Sequence, residues 1–181
     1  MTNRFRNTIL ALAVVLVAAP TVGMGAWSTS NAPASLAEKV RHELVMLPFY
    51  NVFDNLAFRV DGDTVTLSGQ VIRPTLRSDA EAVVRHIAGV REVKNQIEVL
   101  PLSGFDNRIR LGVMRAVYGN SVLNRYALGA QPSIRIIVKN GDVTLEGVVA
   151  REMDRNVAFL AANGVFGVFS VTNNLRVEKA S

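Results

Sequence analysis

The chain of 181 residues contains no cysteine and only two histidines, His42 and His86. Without cysteine there is no disulfide, no thiolate metal site, no thiol nucleophile and no lipoprotein anchor. Neither histidine has a second imidazole or a cluster of acids at ligand spacing, so we predict neither a metal site nor a cofactor. The sequence also has no Gly-x-Ser-x-Gly motif, phosphate loop or dinucleotide fingerprint. We therefore predict no catalytic residues and no enzymatic activity.

Acidic residues are absent before Glu38, where Arg4 and Arg6 precede an apolar run over residues 9–19. A basic start, a short apolar core and then small residues are typical of a secretory signal peptide. Candidate cleavage points follow Gly25, Ala26 or the Ala32-Pro33-Ala34 triplet. An uncleaved anchor is the alternative, because the apolar run and the residues after it are nearly long enough to span a bilayer. In both cases residues 1–34 are predicted to be a signal peptide and linker, with the folded part outside the cytoplasm.

The chain contains an internal repeat. Residues 56–99 align with residues 134–177 at a constant offset of 78 without a gap, and 14 of the 44 aligned positions are identical. The identities fall on glycines and alternating aliphatic residues, which specify a fold, and almost none fall on residue types that perform covalent chemistry. The sequence thus predicts a tandem duplication of one small domain, with a first domain over residues 35–101 and a second over residues 105–179.

Each copy has the hydrophobic pattern of helix, strand, strand, helix and strand. In the first copy, four apolar residues from Leu36 to Leu47 form one helical stripe, and two alternating runs around a glycine-containing turn predict a hairpin. In the second copy, Asp106 is the predicted N-cap of a helix from about 107 to 118. The last strand of each copy follows a helical crossover and is predicted to be parallel to its neighbour. We predict an α+β protein of two αββαβ units, each a three-stranded mixed sheet with two helices on one face.

Two motifs recur in order in both copies. Val-Thr-Leu-x-Gly-x-Val occupies residues 65–71 and again residues 143–149. Gly-Val-x-x-Val-x-Asn-x-(Ile/Leu)-x-Val occupies residues 89–99 and again residues 167–177. Together with the order of elements, these motifs resemble the BON domain, and two copies behind a signal peptide resemble the dual-BON periplasmic proteins. The resemblance implies a non-enzymatic periplasmic protein that binds phospholipid or the membrane surface and supports membrane integrity under osmotic stress.

Charge is shared unevenly between the copies. Residues 35–102 carry 8 basic and 9 acidic side chains, whereas residues 103–181 carry 10 basic and 6 acidic ones. On an exported protein, a basic second copy favours anionic phospholipid, lipopolysaccharide or acidic wall polymers as partners over nucleic acid.

The first helix of the second copy and the loop after it are the predicted lipid-binding site. The helix has apolar residues beyond those that its core stripe needs, and basic residues flank them, as an interfacial membrane contact requires. The predicted site consists of Arg108, Arg110, Leu111, Met114, Arg115, Tyr118 and Arg125. The alternative for the apolar members is that Leu111, Met114 and Tyr118 pack against the first copy.

A scaffold role is the alternative function. In that interpretation the sheet edges, or the face between the copies, bind an envelope protein or a wall polymer. The basic charge would then only keep the protein near an anionic envelope.

Overall fold

The computed structural model describes residues 34–128 and 131–178, so the predicted signal peptide lies outside the described residues except for Ala34. The helices are α1 (Leu36–Val45), α2 (Pro74–Arg85), α3 (Gly104–Tyr118) and α4 (Glu152–Asn163). The strands are β1 (Asn55–Asp61), β2 (Thr64–Val71), β3 (Glu92–Asn95), β4 (Glu98–Val99), β5 (Ile134–Lys139), β6 (Asp142–Val149) and β7 (Ser170–Val177). A short 3-10 helix, Asn124–Ala127, lies in the loop between α3 and β5. This order confirms the α+β prediction of two αββαβ units.

The two sheets have the same topology. The hairpins β1–β2 and β5–β6 are antiparallel, and the third strand of each repeat runs parallel to the second, with Val65 beside Val93 and Val143 beside Val171. In the first repeat this third strand is interrupted, which divides it into β3 and β4, and both pieces pair with β2. The Gln96 amide at the break still donates to Leu67 O at 2.9 Å. The interruption therefore leaves the strand order of the predicted three-stranded sheet unchanged.

Each repeat has its own apolar core between its sheet and its two helices. In the first, Val65, Leu67 and Val71 of β2 meet buried residues of α1 and α2. In the second, Val143 and Leu145 of β6 meet the corresponding residues of α3 and α4. The helices cover one face of each sheet because alternate strand residues point to the same side.

A glycine at the same place in both hairpins lets the two strands approach closely. Gly69 and Gly147 have φ values of +109° and +125°, a region that L side chains rarely adopt. A Cβ atom would lie 2.0 Å from Asn55 O at the first site and 1.9 Å from Ser133 O at the second. The identity of these glycines in the alignment thus has a structural cause.

The paired asparagines of the third strands are also structural. Asn95 Nδ2 donates to Arg77 O at 3.0 Å, and Asn173 Nδ2 donates to Arg155 O at 2.8 Å. Each side-chain oxygen also accepts an amide two residues later, from Ile97 or Leu175. Each asparagine therefore ties the last strand to the preceding helix.

The start of α3 differs from the sequence prediction. Ser103 is the N-cap, and its hydroxyl accepts the Asp106 amide at 3.1 Å. Asp106 is fully buried inside the first turn, where its carboxylate accepts the amides of Asn140 at 3.0 Å and Gly141 at 2.9 Å. The prediction of Asp106 as the N-cap is wrong, because its carboxylate binds the amides of the turn between β5 and β6 instead of the first amides of α3. Local sequence spacing does not reveal this contact.

A segment of the first repeat, residues 50–54, lies along the outer edge of β5. Val52 O accepts the Ile136 amide at 2.9 Å, and Asn51 O accepts Arg135 Nη1 at 2.9 Å. The side chains of Val52 and Phe53 pack against the core of the second repeat. The second core is therefore completed by residues of the first repeat.

Candidate functional site

Three of the predicted lipid-binding residues share the solvent face of α3. Arg108, Leu111 and Arg115 are exposed, and the Leu111 side chain retains 38% of its accessible surface. Arg115 Nε donates to Leu111 O at 3.1 Å, which holds the guanidinium along the helix. At spacings of three and four residues these side chains lie one above the other. We refer to Arg108, Leu111 and Arg115 as the α3 stripe.

Arg110 does not lie with the α3 stripe. It is only 5% exposed, and its Nη2 donates to Val138 O, on the outer edge of β5, at 2.8 Å. Burial lowers the pKa of Arg110, while the charges of Asp106 and Asp54 act in the opposite direction. The expectation that Arg110 meets lipid phosphates is wrong for this conformation, because the side chain satisfies a backbone group of an edge strand.

Tyr118 and Met114 are half-buried on the side of α3 that faces the first repeat. The Tyr118 hydroxyl donates to Ile134 O, and burial raises the pKa of Tyr118 to about 12 despite the nearby charge of Arg135 and this hydrogen bond. Both side chains line an apolar hollow together with Val52 of the first repeat. They are therefore partly engaged inside the molecule, whereas Leu111 is not.

Arg125 pairs with a buried carboxylate. Its guanidinium bonds Asp154, which also accepts the Tyr126 hydroxyl at 2.6 Å, and that hydroxyl in turn accepts the Ala150 amide at 2.8 Å. Burial alone would raise the pKa of Asp154, but the hydrogen bonds from Tyr126 and Arg125 and the charge of Arg125 hold it below its usual value. The charge of Arg125 is thus already balanced within the fold.

Sequence reasoning missed three exposed phenylalanines at one end of the second repeat. Phe105 is 36% exposed, Phe169 is 74% exposed and Phe166 is 99% exposed. The Phe105 and Phe169 ring centroids lie 5.8 Å apart, and the Phe105 ring also lies against Gly167, in the same turn as Phe166. We refer to Phe105, Phe166 and Phe169 as the aromatic tip.

The aromatic tip and the α3 stripe adjoin. The guanidinium carbon of Arg108 lies 5.9 Å from the centroid of the Phe105 ring, at the outer limit of a cation–π contact. The alignment carried a signal for the tip, because Phe166 and Phe169 replace Ala88 and Arg91 of the first repeat. An exposed aromatic cluster bordered by basic residues is a surface that can enter the interface of an anionic bilayer.

Among residues 34–128 and 131–178, no group of three or more histidine, aspartate and glutamate side chains is placed to hold a metal ion. Within that same part of the chain, every helix is too short or too polar to cross a membrane.

Comparisons with known proteins give one informative match. A model of the BON domain matches two segments of the chain, residues 34–101 and 120–179. No curated protein matches the chain in sequence.

Two solved structures of CdsD, a structural protein of the type III secretion system of Chlamydia trachomatis, are weakly similar. The C-terminal domain has 11% identity over 80% of this chain and 98% of its own length, with a TM-score of 0.29. The other structure has 13% identity over 81% of this chain and 93% of its own length, with a TM-score of 0.31.

Proposed function

Since this chain belongs to the BON-domain family, whose members are generally non-enzymatic and often linked to membrane or phospholipid binding, we propose that its second repeat binds anionic membrane surfaces. The protein would act in the periplasm, reversibly and without catalysis, and would support envelope integrity under osmotic stress. The observation that carries this proposal is the exposed aromatic tip beside the α3 stripe. Leu111, Arg108 and Arg115 keep their predicted role, and Phe105, Phe166 and Phe169 join them.

The aromatic tip supplies the apolar part of the binding free energy. Full burial of a phenylalanine side chain is favourable by about 1.5–3 kcal/mol relative to full exposure, and Phe166 is 99% exposed. Such a residue at a turn can enter the acyl boundary without any rearrangement of the core. Exposed apolar clusters of this kind on soluble domains mark interaction surfaces.

The α3 stripe supplies the electrostatic part. Each basic side chain near an anionic leaflet contributes about 1 kcal/mol, and Arg108 and Arg115 are both exposed on one helix face. Arg110 and Arg125 are already engaged with Val138 and Asp154, so we assign them no direct contact with lipid. Met114 and Tyr118 would contribute only through the side of the hollow that opens to solvent.

Vesicle flotation of residues 34–181 tests the proposal. We expect the protein to float with phosphatidylglycerol vesicles and not with phosphatidylcholine vesicles, and to dissociate as salt rises above about 0.15 M, where the Debye length is near 8 Å. The double variant Arg108→Glu, Arg115→Glu should lose binding while retaining its circular dichroism spectrum. The matched control, Arg59→Glu with Arg77→Glu in the first repeat, should bind normally. Equal binding to both lipids, or equal loss in both double variants, would overturn the proposal.

A further inference from the structure

The outer edge of β5 in the second repeat has partners for its backbone. Ile134 O accepts the Tyr118 hydroxyl, the Ile136 amide donates to Val52 O, and Val138 O accepts Arg110 Nη2. The central contact is made by the main chain of a turn, residues 51–54, which the Asp54 amide closes by donating to Asn51 O at 3.1 Å. The side chains of Val52 and Phe53 from this turn pack against the adjoining core. Edge strands with unpaired backbone groups readily pair with another chain, and this edge is closed against such pairing.

The corresponding edge in the first repeat is open. At the repeat offset of 78, Leu56, Phe58 and Val60 of β1 occupy the places of these three residues. The Leu56 amide has a long contact of 3.5 Å to the Tyr50 hydroxyl. Among the described residues, no hydrogen bond reaches the outward backbone groups of Phe58 and Val60.

The difference between the closed edge of β5 and the open edge of β1 has a cause in the first helix of each repeat. α1 has 10 residues and α3 has 15. The buried residues Val40 and Leu44 match Ile109 and Val113, so Arg41 occupies the place of Arg110. Arg41 is exposed and makes no hydrogen bond to β1 among the described residues, so the edge that Arg110 helps to close in the second repeat is left free in the first.

The open edge lies in a groove of about 800 Å³. One wall is α1, with Arg41, Leu44 and Val45, and the other wall is the outer face of the second sheet, with Glu146 and Arg176. The equivalent edge in the second repeat is likewise met by a main-chain group of a separate segment, because Val52 O accepts the Ile136 amide at 2.9 Å.

From this geometry we propose that the β1 groove binds an extended peptide segment of a partner protein as an added antiparallel strand. Main-chain hydrogen bonds to Phe58 and Val60 would supply affinity, as in other strand additions. Peptide side chains on the face of Phe58 and Val60 meet apolar surface, whereas those on the opposite face of β1 pass Arg59. The charged residues that line the groove itself are two arginines and one glutamate. The fitting segment therefore alternates apolar and acidic residues. This proposal involves the first repeat and does not depend on membrane binding.

The probe is a peptide of alternating valine and glutamate, blocked at both ends and 7 residues long, which is the length of β1. It is titrated into residues 34–181 and followed by amide NMR and hydrogen exchange. We expect the Phe58 and Val60 amides to shift and to become protected from exchange. The matched control peptide carries N-methyl groups on its valines, which removes the N–H donors but keeps the side chains, and it should not bind.

A charge variant tests the preference for acidic peptides. Arg59→Glu should weaken binding about fivefold, which corresponds to about 1 kcal/mol, whereas Arg77→Glu on the exposed face of α2 should not change it. The proposal is overturned if about 1 mM peptide leaves the β1 amides unchanged, or if the N-methylated peptide binds equally well. Protection of these amides without peptide, together with a dimer in light scattering, would assign the edge to a second copy of the chain and would also overturn it.

Discussion

The two repeats share a fold and differ in what their surfaces leave open. The first has an open strand edge, a short α1 and a small residue, Ala88, at the turn after α2. The second has a closed strand edge, a longer α3 and a fully exposed phenylalanine, Phe166, at the equivalent turn. Positions that maintain the sheet are shared between the repeats, whereas positions that face solvent have diverged. Duplication thus separates residues that specify the fold from residues that can serve different partners.

The largest expected effect tests what the repeats share. Gly69→Ala and Gly147→Ala should each lower the free energy of unfolding by more than about 3 kcal/mol, because the new Cβ meets a carbonyl oxygen at an unfavourable φ. The measurement is urea denaturation followed by circular dichroism. Gly62→Ala is the control, since Gly62 has a φ of +61° and no atom within 4 Å of the added Cβ. The Gly62→Ala variant should lose only about 1–2 kcal/mol of unfolding free energy. An equal loss at all three sites would contradict the explanation that the backbone of the neighbouring strand leaves no room for a Cβ atom at Gly69 and Gly147.

The next effect tests how far the second repeat depends on the first. Phe53→Ala should lower the free energy of unfolding by about 2 kcal/mol, less than the cost at a fully buried site, because Phe53 is partly buried against the second core. The amides of β5 should lose exchange protection in this variant. Leu102→Ala, at a fully exposed position, should change stability by less than about 0.5 kcal/mol. Unchanged protection of β5 would mean that the repeats are energetically independent.

Asp54 of the first repeat and Asp154 of the second are buried carboxylates whose contributions to the free energy of unfolding depend on pH in opposite directions. Burial raises the pKa of Asp54 despite the amide hydrogen bonds from Ile72 and Asn51, so its contribution to stability is present below its usual pKa and is lost as the pH rises through the raised value. The pKa of Asp154 is lowered, so its contribution is present above its usual pKa and is lost as the pH falls through the lowered value.

Asp154→Asn should therefore cost about 1–3 kcal/mol at neutral pH, through the loss of hydrogen bonds to an ionised group. The difference in the free energy of unfolding between this variant and the parent protein should become smaller as the pH falls below 3.8, the usual pKa of an aspartate. Urea denaturation at a series of pH values measures the cost at neutral pH and its decrease on acidification. A difference that does not change on acidification would show that Asp154 is not stabilised as the anion.

The smallest effect concerns one residue of the α3 stripe. Leu111→Ser should weaken binding to phosphatidylglycerol vesicles about fivefold, because burial of a partly exposed side chain contributes about 1 kcal/mol. Stability should change by less than about 0.5 kcal/mol. Flotation at increasing lipid concentration measures the affinity. Val45→Ser, at a residue of α1 that is 42% exposed, is the control and should bind lipid normally.

Sequence patterns were sufficient to predict the elements and their topology, because hydrophobic period and glycine position are local properties. They were also sufficient to place Arg108, Leu111 and Arg115 on one helix face. They failed for Arg110 and Asp106, whose partners are 28 and 34 residues away in the chain. A long-range hydrogen bond to a strand edge or turn has no local signature in either residue.

The aromatic tip shows a different failure. Phe166 and Phe169 fall in a region whose apolar residues are ordinarily assigned to a core, and their exposure depends on the turn after α4. Only the comparison of aligned positions, with Ala88 and Arg91 opposite these phenylalanines, carried a usable signal.

The central claim is that the second repeat, through its aromatic tip, is the membrane-binding surface. The single tryptophan of the chain, Trp27, lies outside residues 34–181, so a tryptophan introduced at either repeat is a unique reporter. We compare Phe166→Trp with Ala88→Trp on phosphatidylglycerol vesicles that contain brominated lipid. The account predicts a blue shift and quenching of fluorescence for the tryptophan at 166 and neither for the one at 88. Equal responses at both positions, or a response only at 88, would contradict it.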